Sequence, residues 1–204
     1  VSPSPNRRAD ARRSRAAVLD AAVRVLDAEP DAGLAAIAAA AGLTRQTVYA
    51  HFPSREHLLL AVVDRLTEET VEAMDAADPD TGPAADALLR LLDAGARTSR
   101  RHHPVLLRRI GELPAGPRDD AERHAPIADR IGRVVVRGRE TGEFDDRLPV
   151  GWLVAAAIAL AHTAYGEQDA GRLTESGARD ALRVAVLRLL GAAGDPDGRP
   201  SRPR

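Results

Sequence analysis

Apolar positions along this chain recur at the spacing of a helix face and hardly ever alternate as they would in a strand. Val18, Ala22, Val25 and Leu26 hold one face apolar, predicting a first helix over residues 13–28 that Pro30 stops. Leu34, Ile37, Ala38 and Ala41 mark a second, short helix, and Gly42 ends it, because glycine accepts the left-handed conformation of a tight turn. Thr44 then stands as an N-cap, with Leu43 before it and Val48 after it placed to form a hydrophobic staple on a short third helix. Ser54 caps again, and Glu56 suits the positively polarised first turn of a long fourth helix. That helix carries Leu58, Leu59, Val62, Val63 and Leu66 and is expected over residues 54–77, fading near Asp78 and Pro79.

Five more helical segments follow in the pattern. They are residues 83–102, a short one at 104–111, 119–141, 149–165 and 174–190, the last closed by Gly191. Pro126 either kinks the third of these or marks its true start. The expected fold is therefore all-α, with about nine helices in total and no internal repeat. The division read from the sequence is a flexible basic arm (1–12), a three-helix domain (13–60), a larger helical domain (61–191) and a disordered tail rich in Gly, Pro and charge (192–204).

Composition narrows the function classes. An apolar content of 44% and a charged content of 29% suit a soluble globular chain with a real core. The absence of cysteine excludes disulfides, thiolate nucleophiles and thiolate metal sites, and fits a reducing, cytoplasmic setting. The basic N-terminal stretch is not followed by an apolar region of the kind a secretory signal needs. The most apolar run, residues 150–165, is too short to cross a bilayer and includes His162. The net charge of −1 hides an asymmetry: residues 1–60 carry eight Arg against six acids, so the N-terminal part is mildly basic and the remainder mildly acidic.

The informative stretch is residues 15–65. Two helices joined by a glycine turn form the plan of a helix-turn-helix, whose second helix can enter the major groove with its N-terminal residues on base edges. Thr44, Arg45, Gln46 and Thr47 crowd that first turn with hydrogen-bonding side chains. Arg can pair bidentately with guanine and Gln with adenine. Tyr49, His51 and Arg55 supply polar tips suited to the strand backbone. The arginines of the arm (Arg7, Arg8, Arg12, Arg13) suit either a neighbouring groove or a solvated tail.

At these residues the chain resembles the tetracycline-repressor (TetR) family. The matching elements are Ile37-Ala38, Ala41-Gly42-Leu43-Thr44, Val48-Tyr49 and His51-Phe52-Pro53-Ser54-Arg55-Glu56 leading to Leu58-Leu59. The resemblance implies that Arg45, Gln46 and Thr47 face bases, that Thr44, Tyr49, His51 and Arg55 contact phosphates, and that Phe52 packs in the small core. Two departures stand out. Ala32 and Gly33 occupy the place where the family commonly opens its second helix on Thr or Ser, leaving Asp31 as the expected cap; Leu26 replaces a common Phe.

The resemblance also implies that residues from about 60 to 190 form a ligand-binding and dimerisation domain, with ligand shifting the long fourth helix and so the spacing of the two DNA-reading helices. The apolar pattern agrees in part. Leu153, Val154, Ala157, Ile158 and Ala161 on one late helix, and Ala181, Leu182, Ala185 and Leu189 on the next, suggest a two-fold four-helix interface. Only five aromatic residues occur, two of them in the helix-turn-helix region, so the expected cavity is aliphatic and suits an apolar or amphipathic molecule. Arg97, Arg108, Arg109, Trp152, His162 and Tyr165 are its candidate polar or aromatic liners.

Elsewhere, adjacent His102 and His103 point about 100° apart on a helix, too far to share an ion well, so a junction role is expected over a metal site. The sequence calls for no metal and no cofactor, and no nucleophile motif or paired-carboxylate spacing suggests an enzyme. The function expected is a homodimeric repressor released from a palindromic double-stranded operator by a small effector. An activator of the same fold is the alternative, followed by a helical carrier or enzyme with a vestigial DNA-binding segment.

Overall fold

The computed structural model describes residues 5–102 and 117–192. Among them lie eight helices and no strand: α1 (Pro5–Ala28), α2 (Leu34–Ala40), α3 (Arg45–His51), α4 (Arg55–Asp75), α5 (Ala84–Ser99), α6 (Pro117–Glu140), α7 (Val150–Asp169) and α8 (Glu175–Leu189). The short helix expected over 104–111 and the expected disordered tail from residue 193 lie outside the described residues. The chain divides into two compact units, Val1–Glu68 with Arg100–Arg123, and Glu69–Ser99 with His124–Arg204.

In the first unit, α1 starts earlier than its apolar pattern suggested. The expected flexible arm over residues 1–12 is corrected from Pro5 onward, which is already helical. Proline at the first helical position loses no hydrogen bond, and Arg and Ala are good helix formers, so the chain winds without any apolar face to demand it. Arg13 pairs with Asp10 one turn back. Val18, Ala22 and Leu26 of α1 then meet Ile37 and Ala38 of α2, Val48 of α3, Phe52, and Leu58 and Val62 of α4 in one core. Each of the large side chains there contributes about 1.5–3 kcal/mol by leaving water.

The second unit packs α5, α6, α7 and α8 with the end of α4 around Met74, Leu88, Leu91, Ile131, Leu153, Leu182 and Leu190. Its loops are held by side chains gripping backbone. Arg90 donates to the carbonyls of Ala77 (3.0 Å), Asp78 (2.9 Å) and Thr81 (2.8 Å). Arg137 donates to Gly82 (2.8 Å) and Pro79 (2.9 Å). Arg130 forms a two-pronged bond with Asp75, both contacts at 2.6 Å, which holds that carboxyl below its usual range.

Glu143, from the turn after α6, caps α5: its carboxylate accepts the amides of Ala84 (2.9 Å) and Ala85 (3.2 Å). Those amides, led by that of Ala84, hold the Glu143 carboxyl below its usual value against the opposing effect of burial. Pro126 lies inside α6, so the helix begins before it. The carbonyl of Pro126 accepts Arg130 Nη1 at 2.9 Å. Gly138 lets the Phe144 ring lie against α6, where a Cβ would stand only 2.1 Å from it.

Candidate nucleic-acid interface

The turn between α2 and α3 is built by backbone bonding that only a left-handed residue allows. Gly42 has φ +66, and its amide donates to Ala39 O (3.1 Å) while the Leu43 amide reaches back to Ala38 O (3.0 Å). Those two bonds satisfy carbonyls that the end of α2 leaves open. Thr44 follows as N-cap of α3: its Oγ1 accepts the Thr47 amide at 3.1 Å and lies 2.9 Å from the Thr47 hydroxyl. Val48 is fully buried and Leu43 packs against the same core, so the staple anchors the helix from below.

With its lower face pinned, α3 presents its first turn outward. Thr44, Arg45 and Gln46 are exposed and Thr47 is half-buried. Tyr49 is 52% exposed, which for a large aromatic beside a filled core leaves its ring and hydroxyl available to a partner. His51 is half-buried, its ring centroid 6.4 Å from that of Phe52. Phe52 is buried, and its amide closes α3 on Val48 O at 2.8 Å.

Two local expectations change. Asp31 does not cap α2: Gly33 is the N-cap, and no side chain bonds there. The chain turns back so tightly after Pro30 that Ala32 is buried, and the cap position falls on Gly33, two residues beyond Asp31. Arg55 does not point its fork freely outward. Its Nη2 donates to Pro30 O at 2.6 Å and its Nε approaches Ala32 O at 3.4 Å, joining the start of α4 to the turn between α1 and α2.

Two further side chains join the site that its motif did not mark. Arg15 of α1 sets its guanidinium 5.3 Å from the Phe52 ring centre. The Ser54 hydroxyl lies 2.9 Å from His57 Nδ1 and accepts the His57 amide at 3.3 Å, starting α4 beside the end of α3. The expected junction histidine, His102, is buried with Nδ1 3.0 Å from Asp27 Oδ2. Among the described residues no group of three or more His, Cys, Asp or Glu could hold a metal ion.

In the second unit, two sets of residues are buried or exposed otherwise than expected. Leu153, Val154, Ala157, Ala161 and Leu182, expected at a subunit interface, are buried in this chain's own core. Ile158, Ala185 and Leu189 are half-buried and Ala181 is exposed. Trp152 and His162, expected to line a cavity, stand on the outward side of α7 with Ala155, Ala159 and Gly166. The physical reason is that α7 is apolar around its whole circumference, so periodicity alone does not orient it. Crowding by neighbouring atoms, with the nearby His124 adding to it, pushes the His162 imidazole below its ordinary pKa although the residue remains open to solvent.

Arg97 and Tyr165 do come together, through a residue the pattern did not mark. The Tyr165 hydroxyl, in a buried ring, donates to Asp93 Oδ1 at 3.2 Å, and Arg97 pairs with Asp93 from the next turn of α5. Arg108 and Arg109 lie outside the described residues. None of the described helices is long and apolar enough to cross a membrane.

The comparisons with known proteins agree with this architecture. A model for bacterial regulatory proteins of the tetR family matches residues 18–62, the region of the turn and its supporting helices. The HTH-type transcriptional repressor LfrR of Mycolicibacterium smegmatis is 42% identical over 92 residues, or 45% of this chain. That match spans about half of the curated relative, 49% of its length. The crystal structure of the TetR-like regulator LfrR from Mycobacterium smegmatis in complex with proflavine matches at 30% identity and a TM-score of 0.62, covering 86% of this chain and 94% of that one. FadR of Bacillus subtilis, in complex with stearoyl-CoA, shares the fold at 18% identity and a TM-score of 0.68, with 88% and 98% covered. The chain, with its glycine turn, capped reading helix and all-helical second unit, belongs to the tetR family of bacterial regulatory proteins.

Proposed function

We propose that this chain is a sequence-specific transcriptional repressor that holds a near-palindromic duplex as a homodimer and releases it when a small ligand binds the second unit. The observation that carries the reading is the first turn of α3. Arg45 and Gln46 stand exposed beside a capping Thr44, on a short helix whose Val48 is fully buried. In this reading Arg45, Gln46 and Thr47 address base edges, while Thr44, Tyr49 and His51 address phosphates. Two copies related by a two-fold axis would read half-sites about 34–36 Å apart.

The outward row of α7, with Ala181 and Ala185 of α8, is the face through which a second copy docks. Small side chains there permit close helix approach, and a large apolar residue left in water favours a partner. The effector is an apolar or amphipathic molecule. Proflavine, held by the relative of 30% identity, is the first compound to try. A ligand that favours the released state by roughly 1–3 kcal/mol changes DNA affinity about 5–150-fold.

Selection of bound duplexes from a random pool, followed by footprinting, tests the reading. It expects a two-fold symmetric consensus protected on both half-sites, with affinity falling as salt rises. Retention of random duplex without enrichment of any consensus would refute it.

A further inference from the structure

Arg55 sits at the start of α4, close in sequence to the helix that addresses DNA, and is half-buried. Its guanidinium donates through Nη2 to Pro30 O at 2.6 Å, and its Nε approaches Ala32 O at 3.4 Å. Pro30 follows the end of α1 and has no amide to donate, and Gly33, the N-cap of α2, makes no side-chain cap bond. Within the turn the Ala32 amide bonds to Glu29 O at 2.9 Å, and Ala32 is buried beneath it. The carbonyls of Pro30 and Ala32 point to one guanidinium, which reaches them from 25 and 23 residues further along the chain.

We infer that Arg55 is a positioning residue for DNA recognition: its fork staples the turn between α1 and α2 to the start of α4, and so sets where α2 and the reading helix α3 stand. This inference rests on the repressor reading above. It departs from the phosphate contact that the family resemblance implied for this position. A planar fork can satisfy two carbonyls at fixed angles, whereas an ammonium on a flexible stem acts as a point charge. Charge alone therefore does not replace it. A single phosphate contact makes a looser demand, since a lysine ammonium also binds a phosphate oxygen as a point charge.

The test compares wild type, Arg55→Lys and Arg55→Met on the selected operator across a salt series. Thermal unfolding of each variant establishes that it is folded at the assay temperature. The staple predicts that both variants lose affinity by about tenfold, the weight of one charge-assisted hydrogen bond. It also predicts that the slope of log affinity against log salt stays at the wild-type value. A direct phosphate contact predicts near wild-type affinity for Arg55→Lys and, for Arg55→Met, a salt slope smaller by about one; that result overturns the inference.

The side-chain resonances of Arg55 in the wild-type protein supply a readout that needs no variant. The staple expects guanidinium N–H signals protected from exchange in the free protein and unmoved when operator is added. A shift on adding operator overturns it. If wild type binds no duplex selectively, the repressor reading itself fails, a result distinct from a binding wild type that Arg55→Lys matches.

Discussion

At the scale of single residues, the division of labour along α3 sets the sharpest expectations. Gln46 is exposed where a base edge would be met, so Gln46→Ala should relax preference at one base position and leave the others intact. Tyr49→Phe removes only a hydroxyl and should weaken binding to all duplex sequences alike. Affinity measured on the operator and on a panel of single-base variants separates the two. Equal affinities for wild type and both variants would show that the roles are misassigned. In the second unit, Gly138 touches the Phe144 ring so closely that a methyl has no room. Gly138→Ala should lower stability by about 1–3 kcal/mol, the usual result of overfilling a packed core, and chemical denaturation reads it.

At the scale of elements, what was legible in the sequence was what is local in the chain. The glycine turn, the Thr44 cap and the Leu43–Val48 staple each act within a few residues, so spacing reveals them, and all three are present in the structure. Devices that join distant residues left no such mark. The Arg55 staple spans 23 and 25 residues, the Glu143 cap of α5 spans 58 and 59, and the Tyr165–Asp93 bond spans 72. Orientation failed for α7 for another reason, since a helix apolar on every side offers no stripe to follow.

The Glu143 cap leads to its own prediction. Glu143→Ala should cost about 0.5–2 kcal/mol, as the loss of an N-cap does. Its carboxyl is held low by the α5 amides, so the cap's contribution is complete above about pH 4.5 and fades as acid is added through the lowered value. Urea unfolding should therefore separate variant from wild type at pH 7 and bring them together in strong acid. A gap of equal size at both pH values would show that ionisation of Glu143 plays no part.

At the scale of the whole molecule, acid sensitivity should begin well above the range of the carboxylates. The His162 ring is crowded and lies near His124, so the folded chain takes up that proton less readily than the unfolded chain does. A depressed histidine pKa means that stability is full above about pH 6.5 and declines as pH falls below it, because the unfolded state then binds more protons. Asp75, Glu143 and Glu167, whose carboxyls are held low by their partners, protect the fold until pH drops to about 4.5 and below. Between those limits His162→Asn should flatten the fall of the thermal midpoint. Parallel curves for variant and wild type would assign the acid response elsewhere.

The outward position of Trp152 has a practical consequence. It is the chain's single tryptophan, and 52% of it faces water. Indole emission moves to shorter wavelength when water is withdrawn, so the colour of this protein's own fluorescence reports whether that side of α7 is covered. Dilution should redden the emission along the same curve on which sedimentation shows subunits parting, with no label attached. An emission maximum indifferent to dilution, across a range where mass halves, would place the contact between copies on a different surface.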